Sequence, residues 1–392
     1  MPRIRPFVGL LFDPARAGPL DRVTAPPYDT ITPAERDRFL DASPYNVVRL
    51  DLPDASAPGA GAGADPYATA AELLLLWRRR GVMVPDPGGP ALYGYEMRFV
   101  HRGRSGRVRG VIGLVELEPW GGRVLPHERT LAGPVEDRLR LLRATRANLS
   151  CVYGLVPGPR PELAEMLERA AAGTPLVEIA DEEGVVHRLW RVDDGELPRA
   201  LAEDPLLIAD GHHRYATALR YREEMRAVHG PGPWDQVMAL VVDAASEDPP
   251  VLPYHRVLIE GSPVGGGDRV RDLEEVLAEL SDEELVYGLT AREDGELVHR
   301  VGRLDGRPPT VCALHERILA AVPQGALRYT QDAVGAEQAV RERRAVAAYF
   351  LPPTTAERIR AVVERGERLP EKSTFFWPKP RTGVVLRLLD AS

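Results

Sequence analysis

The sequence predicts an α+β protein. Strand-like and helix-like patterns mix without the strict strand–helix–strand period of a doubly wound parallel sheet. Residues 91–101 and 107–117 read as adjacent strands joined by a glycine-containing hairpin. No internal repeat, GxGxxG or GxxxxGK[ST] segment is present. At 392 residues, two or three domains are expected. The glycine-rich stretch 261–267 is the best linker candidate. It divides the chain into an N-terminal α+β segment (1–100), a central core (101–260) and a C-terminal α+β domain (268–392).

Ala25-Pro26-Pro27-Tyr28-Asp29 is rich in turn residues, and Thr32-Pro33-Ala34-Glu35 marks a helix start with proline at its first position. Ser43-Pro44-Tyr45-Asn46 opens a turn expected to run into a strand through Arg49 and Leu50. Residues 54–65, a Gly/Ala stretch, are expected to form a mobile loop. A helix follows over 66–80, with Leu73, Leu76 and Trp77 on its apolar side. Residues 124–130 (VLPHERT) read as a polar loop after a strand. Next come a helix over 136–149 with Leu139, Leu142 and Leu149 inward, a strand over 151–156, a helix over 161–172 and a strand over 185–192. Asn148 and Ser150 therefore sit at a helix end.

Residues 206–209 form a short buried strand and Asp210-Gly211 a tight turn. A helix then runs toward Val228 on the spacing of Ala218, Tyr221 and Met225. The unbroken apolar run 237–242 is a buried strand. Beyond the linker, helices over 272–280, 311–322, 335–343 and 354–365 mix with strands at 284–289, 296–304, 327–330, 345–351 and 383–388.

Composition bounds the function. With 44% hydrophobic and 28% charged residues, the chain is an ordinary soluble globular protein. Its net charge of -8 argues against nucleic acid or an anionic membrane as the main partner. No apolar run suits a membrane span and no signal-peptide pattern opens the chain, so a cytoplasmic location is expected. Cys151 and Cys312 are the only cysteines, too few for a disulfide framework or a cysteine-rich metal site. Lys372 and Lys379 are the only lysines, in a chain that uses arginine for every other basic position apart from histidine. Such scarcity marks sites that want a compact ammonium, and Lys372 is the one expected at a ligand's phosphates.

The chemistry concentrates in Asp210-Gly211-His212-His213-Arg214. A strand feeding a helix through glycine leaves unpaired N–H groups where an anion is stabilised. Asp210 can add a carboxylate for a metal, and Arg214 a planar fork for phosphate. The adjacent histidines suit phosphate hydrogen bonding better than zinc, since no third soft ligand stands at a usual spacing. Tyr28, Asp29, Asn46, Arg49, Asn148 and Ser150 are candidate substrate contacts.

Several of these segments resemble the family catalogued as domain of unknown function 1015. They are Ala25-Pro26-Pro27-Tyr28-Asp29, Ser43 through Leu50, Leu125 through Thr130, Arg143 through Ser150, Ala209 through Tyr215, His255-Arg256 and Lys372-Ser373-Thr374. More narrowly, a Pro-His-Glu loop with a later Asp-Gly-His-His-Arg segment resembles the free-serine kinases of the ParB/sulfiredoxin superfamily. That resemblance implies a ParB/sulfiredoxin-like core, ATP or ADP as phosphoryl donor, Mg2+, and free L-serine as acceptor with O-phosphoserine as product. It implies Glu128 as the base on the substrate hydroxyl and Asp210 as a second acidic group and metal ligand. Gly211, His212, His213 and Arg214 become the phosphate cradle; the lysine-bearing tail has no counterpart in that family's core. The expected partners are a nucleotide and a small molecule, with no nucleic acid and no membrane.

Two other readings compete. A ParB-type nucleotide switch would bind or hydrolyse a nucleotide without phosphorylating a metabolite, but no helix-turn-helix is recognisable for a DNA clamp. A sulfiredoxin-like reductase needs a cysteine beside the phosphate-binding residues, and that position is Gly211.

Overall fold

The computed structural model of the protein describes residues 3–54, 65–101, 103–128, 132–156, 158–192, 205–247, 249–323 and 325–389. The expected Gly/Ala loop, apart from its ends, and Arg129-Thr130 of the Pro-His-Glu segment lie outside the described residues. The chain is a mixed α/β structure that divides into two compact units. The first comprises residues 1–126, 130–249 and 378–392, the second residues 127–129 and 250–377.

These lines differ from the three segments expected from sequence. A cut at residue 100 would sever the Leu92–His101 strand from its antiparallel partner Arg104–Glu116. The 261–267 stretch lies inside the second unit rather than joining two domains. There Tyr349 Oη donates to the Val264 carbonyl and accepts from its N–H, both at 3.0 Å. Gly267 has φ 137°, and a Cβ there would stand 2.1 Å from the Val301 carbonyl oxygen. The glycines let backbone lie against backbone, so glycine richness signals close approach and not a free hinge.

The first unit is organised on a nine-stranded mixed sheet. Its order is Val124–Pro126, Leu206–Asp210, Val152–Val156, Gln236–Asp243, Arg104–Glu116, Leu92–His101, Val186–Val192 and Val177–Ala180, with Ile4–Arg5 paired to Arg104–Glu116. The central strands Val152–Val156 and Gln236–Asp243 are buried almost throughout, which explains their unbroken apolar runs. Helix Pro161–Ala171 turns Leu163, Met166 and Leu167 into the sheet core. Helices Ala132–Thr145 and His212–His229 meet through Leu139, Leu142 and Tyr221.

A second core in this unit gathers Leu10, Phe12, Val47, Leu74, Trp77 and Leu386. The helix Pro66–Arg79 buries Ala70, Leu74 and Trp77, while Leu76, expected inside, is 37% exposed. Trp77 packs on Phe12 and Tyr45, and its bulk sets the face, so the residues three and seven positions before it share that face. The helix start expected at Thr32 is present: Thr32 caps helix Pro33–Ala42, and it does so in a full capping box with Glu35.

Two expected elements change. The turn at Ser43 leads into a short helix, Val48–Asp51, and not a strand. Asn46 decides this: its Oδ1 accepts from Val48 N–H at 2.9 Å, and its Nδ2 donates to the Arg22 and Thr24 carbonyls at 2.8 and 3.2 Å. Replacing Asn46 by Ala strands three buried backbone groups and is expected to cost about 2 kcal/mol or more. A urea unfolding series checks this. The helix expected over 136–149 ends at Thr145, because Arg146 takes φ 46° and turns the chain. Asn148 then pairs with Arg387 in a two-residue ladder.

The second unit carries a six-stranded antiparallel sheet ordered Asp268–Val270, Glu296–Arg303, Val286–Glu293, Ala347–Phe350, His255–Leu258 and Leu327–Thr330. Val276, Ala336 and Val340, from two helices, pack with Val257, Ala348 and Phe350 of the sheet. Among the described residues, no helix is long and apolar enough to cross a membrane.

Candidate functional site

The strand Leu206–Asp210 runs parallel to Val124–Pro126 and antiparallel to Val152–Val156, with a register slip between Ile208 and Asp210 where the chain begins to turn. Gly211 then adopts φ 88° and caps the 18-residue helix His212–His229. A Cβ on Gly211 would meet Arg214 Nε at 3.0 Å, so glycine is needed for conformation and for the close approach of Arg214.

Asp210 is the centre of a buried charge cluster. Its Oδ2 accepts from Arg214 Nη2, and its Oδ1 accepts from Lys379 Nζ. Lys379 also stands 3.8 Å from Asp29 Oδ2, and Arg214 Nη1 donates to the Cys151 carbonyl. Burial by itself would raise the Asp210 carboxyl. The charges of Lys379 and Arg214 outweigh it and hold the group well below the usual carboxylate range.

The structure therefore brings Asp29, Asp210, Gly211 and Arg214 together and adds a lysine. That lysine is Lys379, which lies with residues 378–392 in the first unit. Lys372, the one expected at the phosphates, belongs to the second unit, where its ammonium stands 5.6 Å from the Tyr254 ring centroid. His212 is buried, with its ring stacked 6.5 Å from Trp120, and His213 is half-buried beside it.

The first turns of the helix also line a cleft of about 470 Å3, open solvent included. Tyr28, Asn148 and Ser150 share its wall with Arg214, Arg138 and Asp51. The Tyr28 ring carries the Arg138 guanidinium 4.1 Å from its centroid. Asn148 has spent its carboxamide oxygen, which accepts from Met238 N–H at 3.1 Å and from Arg387 at 3.3 Å.

Asn46, also expected at the substrate, serves the fold instead, and Arg49, expected there too, gives the fold one of its donors. Asn46 is fully buried as the cap described above. Arg49 donates to the Leu40 carbonyl at 2.6 Å, near the end of helix Pro33–Ala42. Sequence reasoning missed Arg138 and Asp51, since a charged residue within a helix reads as solvated surface. Lys379 carried the same signal of rarity as Lys372, and nothing in the sequence separated them.

Glu128 lies in the second unit. Its Oε1 accepts from the Ser373 and Thr374 N–H groups, both at 3.0 Å, and from the Thr374 hydroxyl at 2.9 Å. The buried His127 Nε2 stands 2.6 Å from the same hydroxyl. Arg256, fully buried, donates to the Lys372 carbonyl at 2.9 Å and the Glu371 carbonyl at 3.3 Å. Burial pushes its guanidinium down to about 10 and, with Arg256 adjacent, the His315 imidazole down to about 3. The His255-Arg256 and Lys372-Ser373-Thr374 motifs thus form one scaffold that orients the Glu128 carboxylate.

Among the described residues, no group of three or more His, Cys, Asp or Glu side chains is placed to hold a metal ion. Burial pushes the Cys151 thiol up to about 11, which keeps it protonated and removes it as a thiolate nucleophile.

Set against known proteins, no curated protein matches the chain. Among solved structures it is similar to a free serine kinase in complex with AMP, at 15% identity over 67% of this chain and 86% of that one, with a TM-score of 0.37. A conserved hypothetical protein from Pyrococcus furiosus is similar at 16% identity, over 68% of this chain and 93% of that one, with a TM-score of 0.36. SbnI with C-terminal truncation, from Staphylococcus aureus, is similar at 13% identity, over 69% and 85%, again with a TM-score of 0.36. The family model described as "Protein of unknown function (DUF1015)" matches residues 4–306, most of the chain, and the protein belongs to that family.

Proposed function

We propose that the protein is a nucleotide-dependent small-molecule kinase whose first unit binds the phosphates. It transfers a phosphoryl group from ATP or ADP to a hydroxylated metabolite, with free L-serine as the first acceptor to test. The supporting observation is the Asp210–Arg214–Lys379 cluster at the start of a long helix, with Arg214 also lining the adjoining cleft. A ParB/sulfiredoxin-like core, a cytoplasmic location and partners limited to nucleotide and small molecule belong to the same reading.

Phosphoryl transfer asks a protein mainly for positioning and charge neutralisation. Here the acceptor oxygen attacks the terminal phosphorus, the bond to the bridging oxygen breaks, and the acceptor's proton passes to a carboxylate base, the role that the Pro-His-Glu resemblance implies for Glu128. Arg214 and Lys379 oppose the charge that develops on the phosphoryl oxygens, so Lys379 takes the role first assigned to Lys372. Asp210 is the residue that would hold magnesium, which takes one or two carboxylates and completes its shell with water and phosphate. Both Asp210 oxygens are engaged by Arg214 and Lys379, so the ion would compete with one of them.

Incubation of the full chain with Mg-ATP or Mg-ADP and L-serine is expected to yield O-phosphoserine, one per nucleotide consumed, read by phosphorus NMR. Nucleotide binding without turnover on serine or on a panel of small alcohols would sink the kinase reading.

A further inference from the structure

The cleft wall holds a carboxylate that the reading above does not use. Asp51 is 5% exposed and closes the short helix Val48–Asp51. Its carbonyl oxygen and Oδ1 accept from Arg138 Nη1 at 2.6 and 3.1 Å. Its Oδ2 is buried and has no hydrogen-bond partner among the described residues. A buried carboxylate oxygen without a donor is costly, and native proteins keep few such atoms.

Charge balance points the same way. Arg138 is shared: its Nε and Nη2 grip Asp137 Oδ2 at 2.7 and 2.6 Å, while Nη1 serves Asp51. One guanidinium thus faces two carboxylates, and Asp137 also takes the Tyr67 hydroxyl at 2.7 Å. Asp137 is 44% exposed and has water for compensation, whereas Asp51 does not. Burial pushes the Asp51 carboxyl up even with Arg138 beside it. The charges of Arg138 and Arg214 act against that shift without cancelling it, so the ionised form stays undercompensated.

We propose that Asp51 Oδ2 is the anchor for a ligand ammonium group, and that this cleft takes a small primary amine compound. An adenine edge fits the wall less well, because the one aromatic ring among the described residues that line it, Tyr28, already has Arg138 over its face. Neutral base donors would also leave the charge of Asp51 unbalanced. The proposal rests on the kinase reading only in naming this ligand the phosphoryl acceptor; the binding claim stands on the cleft alone.

Equilibrium binding to the full chain tests it with three probes: L-serine, ethanolamine, which lacks the carboxylate, and D-glycerate, which lacks the ammonium. Wild type is expected to bind L-serine and ethanolamine at least about tenfold more tightly than D-glycerate, the contribution of one charge-assisted hydrogen bond. Asp51→Asn, which keeps an oxygen for Arg138, should erase that preference and leave the Mg-ADP affinity unchanged. Equal binding of D-glycerate by wild type, or no binding of any probe, overturns the proposal, and neither result depends on the variant folding. It is also overturned if the preference survives in Asp51→Asn, or if Mg-ADP is weakened as much as L-serine. A kept ammonium preference without phosphoryl transfer would refute the kinase reading alone.

Discussion

Under the proposed kinase reading, replacing Glu128 by Gln is expected to lower phosphoryl transfer by about two to four orders of magnitude, roughly the contribution of a positioned general base, and to leave Mg-ADP binding intact. The substitution is nearly silent for the fold. Glu128 Oε1 accepts from two N–H groups and one hydroxyl of Ser373 and Thr374, and a Gln carbonyl oxygen can accept the same three. What the amide cannot do is take a proton from an acceptor hydroxyl. Steady-state turnover with a calorimetric nucleotide titration separates the two effects. A variant rate within about tenfold of wild type would remove Glu128 from the role of base.

Asp210→Asn has the largest expected effect on stability. Asp210 and Arg214 are each 12% exposed in their side chains and Lys379 is 8% exposed, so the substitution leaves two buried cations with a neutral amide between them. Breaking a buried ion pair from one side costs about 3–5 kcal/mol. The sign with pH follows from the depressed carboxyl. The unfolded chain binds this proton near the ordinary value of about 3.9, the folded chain only at lower pH. Stability from Asp210 is therefore fully present above about pH 5 and fades as pH falls through the folded value.

Urea midpoints for wild type and Asp210→Asn should accordingly differ most near neutrality and converge in acid. Adding Lys379→Met to Asp210→Asn should recover part of the loss, because it removes one stranded cation. A simple sum of the two single losses would mean that Lys379 and Asp210 are not coupled.

Where the sequence was legible, local chemistry and burial agreed. The turn at Gly211 could be read because a buried strand, a left-handed glycine and a helix start leave few alternatives within six residues of chain. The helix start at Thr32-Pro33 and the hairpin of Leu92–His101 with Arg104–Glu116 were legible for the same reason. The errors arose where one residue type serves two ends. Asn46 is polar and motif-borne, which suits a ligand contact, yet its amide donors are taken by the Arg22 and Thr24 carbonyls, and Arg49 gives one donor to the Leu40 carbonyl. A buried backbone carbonyl demands a donor as firmly as a substrate does, and sequence does not say which one claims it.

By itself the sequence determined the α+β character, the strand–glycine–helix turn with its Asp, His and Arg groups, and the rarity of lysine. These depend on neighbours in the chain, through backbone conformation and period. Only the tertiary structure decided that Lys379 reaches Asp210, that Asp51 and Arg138 stand in the cleft with Tyr28, and that Thr374 holds Glu128. Those pairings join residues far apart in the chain, and they form because buried charges and carbonyls must find partners once the sheets have closed. No pattern along the chain encodes which distant group that partner will be.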